Sequence, residues 1–373
     1  MASQIQPIRA GIVGLRRGEQ LAKSIQACDG AEVRALCDLD PVRLGAAAEG
    51  LRVENRYTQY DEMLEREDLD LVVVATATQH HAEMVIAAAA NKPAGVLCEK
   101  PFAVNMGEAE AMLATCDTSA VKLAIGFQGR HDPAFVRARD LVLEGAIGRP
   151  LTVSVSIAEG GLLNSGSHRL DWALYVLGDP EPQSVLGQLQ RKTDRYERGT
   201  ICEDLCMGIA FVGDGTRIAI DCDIGDVSPL ADRSFVIAGD QGMMVIEPRP
   251  REGFSAHSLT LVSSTGQSLE LEPGDLPEVD ADYQQMAEMI AWIRDESGNR
   301  QDAHLSIRSH AIMMGIYESA RTHTLVHMPL RTKESPLSAM VADGELRVRH
   351  PGRYDIRHRT AHQPDKLDMI PGH

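Results

Sequence analysis

No apolar run in the 373-residue sequence approaches the roughly 20 residues of a membrane span. The longest, residues 84–90, is short enough to lie within a helix. The opening MASQIQPIRAGIVG lacks a charged stretch followed by a long apolar one, so no secretory signal is expected. Positive charge is in deficit: 37 Lys and Arg stand against 54 Asp and Glu, a net charge of −17. Such a chain lacks the basic excess that non-specific binding to nucleic acid or an anionic membrane requires, and neither is expected as a partner. Cysteine pairing shows no pattern. Cys28, Cys37, Cys98, Cys116, Cys202, Cys206 and Cys222 are scattered and odd in number, mostly in apolar or strand-like surroundings. They read as reduced core residues of a cytoplasmic protein. Cys202 and Cys206 are close, but no two further soft ligands stand near them, so no metal site is expected. There is no internal repeat and no low-complexity tract.

What is present is the composition of a globular protein, 43% hydrophobic and 24% charged. At roughly 150 residues per domain the length suggests two domains or three. Residues 8–13, 32–37, 69–75, 95–98 and 122–126 read as short apolar strands. Helical patterns at 21–27, 61–67, 82–90 and 106–116 lie between them. Strands buried on both faces and separated by helices predict a doubly wound parallel sheet, an α/β fold, with ligands at the carboxyl ends of its strands. After about residue 150 the pattern becomes alternating. Residues 151–156, 184–190, 207–211, 216–221, 234–239, 243–246 and 259–262 predict a large, mostly antiparallel open sheet. Helices at 168–177, 283–294 and 306–321 make this half α+β. Beyond Thr332, residues 345–348 read as a short extra strand, or the segment is a tail that docks on a neighbouring subunit.

Three motifs carry chemistry. Gly11-Ile12-Val13-Gly14-Leu15-Arg16-Arg17-Gly18 lies between the first strand and helix, where glycines let a pyrophosphate approach the backbone. Arg16 stands where the middle glycine of Gly-x-Gly-x-x-Gly would be, so the motif alone also fits a plain turn. Asp38, twenty residues after Gly18, ends the second strand. A carboxylate there accepts hydrogen bonds from ribose hydroxyls and repels a 2′-phosphate; the alternative is a cap for the helix near Pro41. Cys98-Glu99-Lys100-Pro101 follows the fourth strand, where Lys100 either polarises a substrate oxygen or is a solvated surface lysine. In the stretch from Gly160 to Asp171, Asn164 and His168 are four residues apart and Asp171 is three beyond His168. A histidine with an acid at that spacing is either a general base held in one tautomer or a helix residue satisfying a buried partner.

Together, in this order, these motifs resemble the Gfo/Idh/MocA family of nicotinamide-dependent sugar and cyclitol oxidoreductases. The resemblance runs from about Ile8 to Leu330. It also rests on Ala75-Thr76-Ala-Thr-Gln-His-His81, Gly126-Phe-Gln128-Gly-Arg130-His-Asp-Pro133, Gly145-Ala-Ile-Gly148, Glu203-Asp204 and Ile316-Tyr-Glu-Ser-Ala-Arg321. It implies a Rossmann domain over residues 1–125, a substrate-binding and oligomerisation domain over 126–330, and an extension over 331–373. Gly14, Arg16, Gly18, Asp38, Thr76, His81, Glu99, Lys100 and Gln128 would meet the cofactor, NAD, with NADP the alternative. Lys100, Arg130, Asn164, His168 and Asp171 would meet a sugar or cyclitol substrate, with Lys100, Asn164 and His168 catalytic. The implied reaction is hydride transfer between a ring hydroxyl carbon and nicotinamide, in a homodimer or homotetramer. Two departures matter besides Arg16. Ala77 stands where many members have proline, and Asn164 where they have a catalytic aspartate. An amide orients a hydroxyl but carries no proton, which leaves His168 as the base. An NAD-retaining lyase or glycosidase, or a cofactor-binding sensor without turnover, are the competing readings.

Overall fold

The computed structural model describes residues 6–158, 160–197, 199–222, 235–249 and 256–355. The chain forms two compact units. Unit one comprises Met1–Ala103, Glu108–His131 and Val279–Ile307; unit two comprises Val104–Gly107, Asp132–Glu278 and Arg308–His373.

The first part of the chain runs β1 (Ile8–Val13), α1 (Leu15–Gln26), β2 (Ala31–Cys37), α2 (Pro41–Leu51), β3 (Asn55–Tyr57), α3 (Tyr60–Arg66), β4 (Leu71–Val74), α4 (His81–Ala90), β5 (Gly95–Cys98), α5 (Met106–Ser119) and β6 (Lys122–Ile125). The six strands are all parallel, in the order β3-β2-β1-β4-β5-β6. This is the order of a doubly wound dinucleotide-binding sheet, with its switch point between β1 and β4. Every residue of β4 is buried, and they alternate between two cores. Val72 and Val74 face one with Val85, Val96 and Phe102; Leu71 and Val73 face the other with Ile12, Leu36 and Leu97.

Then follow α6 (Pro133–Leu143), β7 (Pro150–Ile157), α7 (Ser167–Val176), β8 (Pro182–Gln190), β9 (Thr193–Glu197), β10 (Thr200–Ile201), β11 (Leu205–Val212), β12 (Thr216–Cys222), β13 (Phe235–Gly239), β14 (Gly242–Arg249), β15 (Ala256–Ser263) and β16 (Ser268–Leu271). The last elements are α8 (Ala281–Ile293), α9 (Ala303–Thr322), β17 (Val326–His327), α10 (Pro336–Ala342) and β18 (His350–Asp355). Nine strands form an open sheet in the order β16-β15-β14-β13-β7-β12-β11-β8-β17. Only the β7–β12 pair is parallel. One face packs on α9: a Cβ at Gly208 would lie 2.5 Å from the Ile316 side chain. Helix α8 belongs to unit one, where Met286, Met289 and Ile290 join the core of Ile12 and Leu97.

Several elements were not expected from the sequence, among them β9, β10, β16 and β17 and helices α6 and α10. Residues 345–348 form no strand. The backbone N–H groups of Glu345 and Leu346 bond back to Met340 O, which ties the stretch to the end of α10. The extra strand is β18, which pairs parallel with β9. Strand β3 had no sequence signal, being three residues with two polar ones. Ser234 of the expected strand 234–239 and residues 356–373 of the extension lie outside the described residues. Among the described residues no helix is long and apolar enough to cross a membrane. All seven cysteines are free and buried. Burial raises the thiol of Cys98, that of Cys28 to about 11 and those of Cys37 and Cys116 to about 12.

Buried histidines add to the acid response of the fold. Burial, with help from the Arg300 charge, pushes His131 down to about 3, and burial pushes His310 down to about 4. An unfolded imidazole protonates near 6.5. Below that pH the unfolded chain gains protons that the folded chain refuses, so stability falls as pH falls. The melting temperature should therefore be flat from about pH 8 to 7 and decline between about 6.5 and 5. A flat profile through that window would contradict it.

Candidate active site

In unit one the sequence motifs gather at the carboxyl edge of the parallel sheet. Gly14 follows β1 with φ +87°, and a Cβ there would lie 2.6 Å from Ala75 O. No side chain fits between the two loops. A Cβ at Gly18 would lie 2.7 Å from Ile12 Cγ2, so this glycine lets α1 settle onto β1. The N-cap residue of α1 is Gly14, which has no side chain to cap it, and the first turn of the helix holds no acid, so the N–H groups beyond Leu15 can face an anion. Arg16 is exposed in that turn.

Asp38 is buried at the end of β2. Its Oδ2 accepts from Leu15 N at 2.7 Å, and its Oδ1 accepts from Asp40 N and from Arg43 Nη1, both at 2.9 Å. The cap of α2 is Asp40, which accepts from Val42 N and Arg43 N. Asp38 is thus not the cap; it ties the glycine turn to the next loop.

Thr76 follows β4, and its Oγ1 is buried without a hydrogen-bond partner among the described residues. The Oε1 of Gln128, in the turn Gln128–His131, is in the same condition. His81 is 1% exposed and reaches two carbonyls, Pro101 O at 2.9 Å and Thr76 O at 3.3 Å. Burial lowers its pKa, so the ring is neutral and its single N–H donates to one of these two carbonyls. Glu99 is buried; its Oε1 accepts from Arg17 Nε at 2.9 Å and its Oε2 from Lys100 N at 3.2 Å. Arg17 also donates to Asp282 at 2.8 Å, which fastens α1 to the first turn of α8. Arg130 is fully buried and donates to Arg300 O at 2.8 Å. Asp282 carried no sequence signal, since it is 265 residues from its partner.

In unit two, Asn164 lies on a wide helical turn, Gly161–Gly166, that runs directly into α7. The helix therefore begins without a side-chain cap. Instead Ser167 Oγ donates to Asn164 O at 2.6 Å. Glu203 braces the turn: its Oε1 accepts from Leu162 N at 2.5 Å and its Oε2 from Tyr317 OH at 2.8 Å. His168 is half-buried in the first turn of α7, and Asp171 is wholly buried one turn on. Among the described residues no three His, Cys, Asp or Glu side chains gather as metal ligands.

The model of an oxidoreductase family with an NAD-binding Rossmann fold matches residues 8–127, and that of the same family's C-terminal alpha/beta domain matches residues 139–328. The chain belongs to the Gfo/Idh/MocA family. Its cofactor class is therefore a nicotinamide dinucleotide. The Gly14 cradle, the Asp38 carboxylate and the orphaned Thr76 hydroxyl fit such a ligand.

A D-apiose dehydrogenase of Paraburkholderia graminis is 32% identical over 212 residues, 52% of this chain and 54% of that one. A myo-inositol 2-dehydrogenase of Thermotoga maritima is 31% identical over 186 residues, 46% of this chain and 55% of that one. The match thus spans about half the length of these relatives. A levoglucosan dehydrogenase solved with NADH and levoglucosan superposes with a TM-score of 0.75 at 19% identity, over 87% of this chain and all of that one. At that identity the likeness speaks to fold.

Proposed function

We propose that this Gfo/Idh/MocA protein is a dehydrogenase that oxidises a ring CH–OH of a sugar, sugar derivative or cyclitol, with NAD rather than NADP as acceptor. The observation that carries the reading is the position of Lys100. It stands at the carboxyl end of β5, on the same sheet edge as Gly14 and Thr76, with Glu99 beside it bonded to Arg17. The sugar and cyclitol dehydrogenases among the relatives support it. Bound NAD supplies the hydride acceptor. Lys100 stabilises charge developing on the substrate oxygen. His168 takes the hydroxyl proton. Asn164 orients that hydroxyl, and Asp171 and Arg130 hold their segments in place. The direct test is a panel of polyols and aldoses with NAD and NADP, followed by reduced-cofactor absorbance. Product without net NADH would indicate an NAD-retaining elimination instead.

The proton step rests on one side chain. His168→Ala should lower kcat by roughly 10²- to 10⁴-fold and leave NADH affinity within about twofold. Asn164→Asp should keep or raise kcat. Unchanged turnover in His168→Ala would make the histidine structural.

Cofactor choice rests on Asp38, whose charge faces Arg43 and is opposed by it. NADH should bind more tightly than NADPH, and Asp38→Ala should narrow the gap. Tighter binding of NADPH by the parent would overturn the assignment.

Assembly rests on the sheet face opposite α9. Strand registry sets Leu186, Ile209, Ala219, Ser154, Val236 and Val245 in one row across it, apolar except at Ser154. Leu186 and Met207 are each 50% exposed. So apolar a face favours burial against a partner. We assign it to a homodimer or homotetramer. Light scattering at micromolar concentration should show more than one chain per particle, and a monomer would refute the assignment.

A further inference from the structure

The ring cluster beside His168 contains two polar groups that the proposed chemistry does not use. Trp172 is four residues after His168, on the same face of α7, with ring centroids 5.8 Å apart. Phe135 packs 4.5 Å from the indole, and the Arg169 guanidinium lies 4.9 Å from its ring centre. The faces of the ring are occupied, so what the indole has to offer is its edge. Its Nε1–H is buried and has no hydrogen-bond partner among the described residues. Native structures keep few buried donors in that condition, because leaving one unmade is costly.

The second group is His257, on β15. Its ring lies 5.9 Å from the indole at 78°, edge to face. Its Nδ1–H donates to Asp132 Oδ2 at 2.7 Å. The other oxygen of Asp132 accepts from Ala134 N at 2.9 Å and caps α6, so the carboxylate that holds the imidazole is itself held. With Nδ1 committed, Nε2 is the ring atom left for a ligand, an acceptor whenever the ring carries a single proton, and no described residue donates to it. One cluster thus presents an unmade donor and an unmade acceptor next to the candidate base. A hydroxyl is the small group that accepts and donates at once.

We propose that Trp172 Nε1–H and His257 Nε2 bind a second hydroxyl of a polyhydroxy substrate, one that is not oxidised. This grip selects which carbon is offered to His168. The inference rests on the dehydrogenase reading for the identity of the base, and its test separates the two. Trp172→Phe and His257→Gln should each raise KM for the oxidised polyol by about five- to twentyfold, with kcat within about twofold and NADH affinity unchanged. Because both contacts serve one hydroxyl, the double variant should lose less than the product of the single losses. A purely structural role would lower kcat and the melting temperature together.

A second readout leaves Trp172 in place. The sequence has two tryptophans, so Trp292→Phe leaves Trp172 as the sole indole. Loaded with NADH, which cannot accept hydride, that variant is titrated with myo-inositol or D-apiose. The indole emission should shift and saturate at the concentration that half-saturates binding. If the parent oxidises either compound, yet the emission and both KM values stay unmoved, the hydroxyl grip is wrong and the dehydrogenase reading stands. If the parent oxidises neither, the reading fails for these compounds and the emission alone decides: a saturable shift keeps the grip, and its absence removes it.

Discussion

Unit one depends on a single close approach. The loops after β1 and β4 must pass each other at the switch point of the parallel sheet, and Gly14 allows it. At φ +87° its Cα lies so near Ala75 that a Cβ would fall 2.6 Å from that carbonyl oxygen. The neighbouring hydrogen bonds lock the arrangement: Gly14 N donates to Cys37 O at 2.9 Å and Ala75 N to Val13 O at 2.8 Å. Three strand ends are thereby pinned at one edge. Asp38 can then reach Leu15 N, and Arg17 can reach Glu99. A larger residue at position 14 would push the loops apart and dissolve these contacts together.

Unit two solves a different problem, that of presenting an amide and an imidazole from a helical turn. The turn is wide and buries Asn164, and the buried Glu203 carboxylate braces it from below through Leu162 N and Tyr317 OH. Burial beside Glu203 raises the Tyr317 phenol well above its ordinary value, so it remains a donor at any working pH. The brace fixes the backbone and leaves the chemistry to the side chains. Of these, Asn164 cannot ionise, so the proposed reaction leaves the proton step to His168.

Much of this was legible in the sequence because the signals were local. Strands β1 and β5 match their apolar runs to the residue, since these runs end at Gly14 and Glu99 where the chain must turn. The glycine turn, Asp38 and the Glu-Lys-Pro loop converge because parallel strands place their carboxyl ends on one edge. What escaped was non-local. Helix α8 joins the unit-one core through Met286 and Met289, although it lies far downstream in the chain. The Arg17 latch needs Asp282, which nothing in its own neighbourhood marks. Strand β18 replaces the one expected at 345–348 because the end of α10 claims those backbone donors.

The central claim is that hydride leaves a hydroxyl-bearing ring carbon for the cofactor. The measurement that tests it most directly is isotope transfer. A polyol that the protein oxidises, deuterated at the reacting carbon, is incubated with NAD, and the reduced cofactor is examined by NMR. One deuterium per NADH formed is the predicted result, with an equimolar ketone or lactone product. Reduced cofactor without deuterium, or converted polyol with no NADH, would contradict the account.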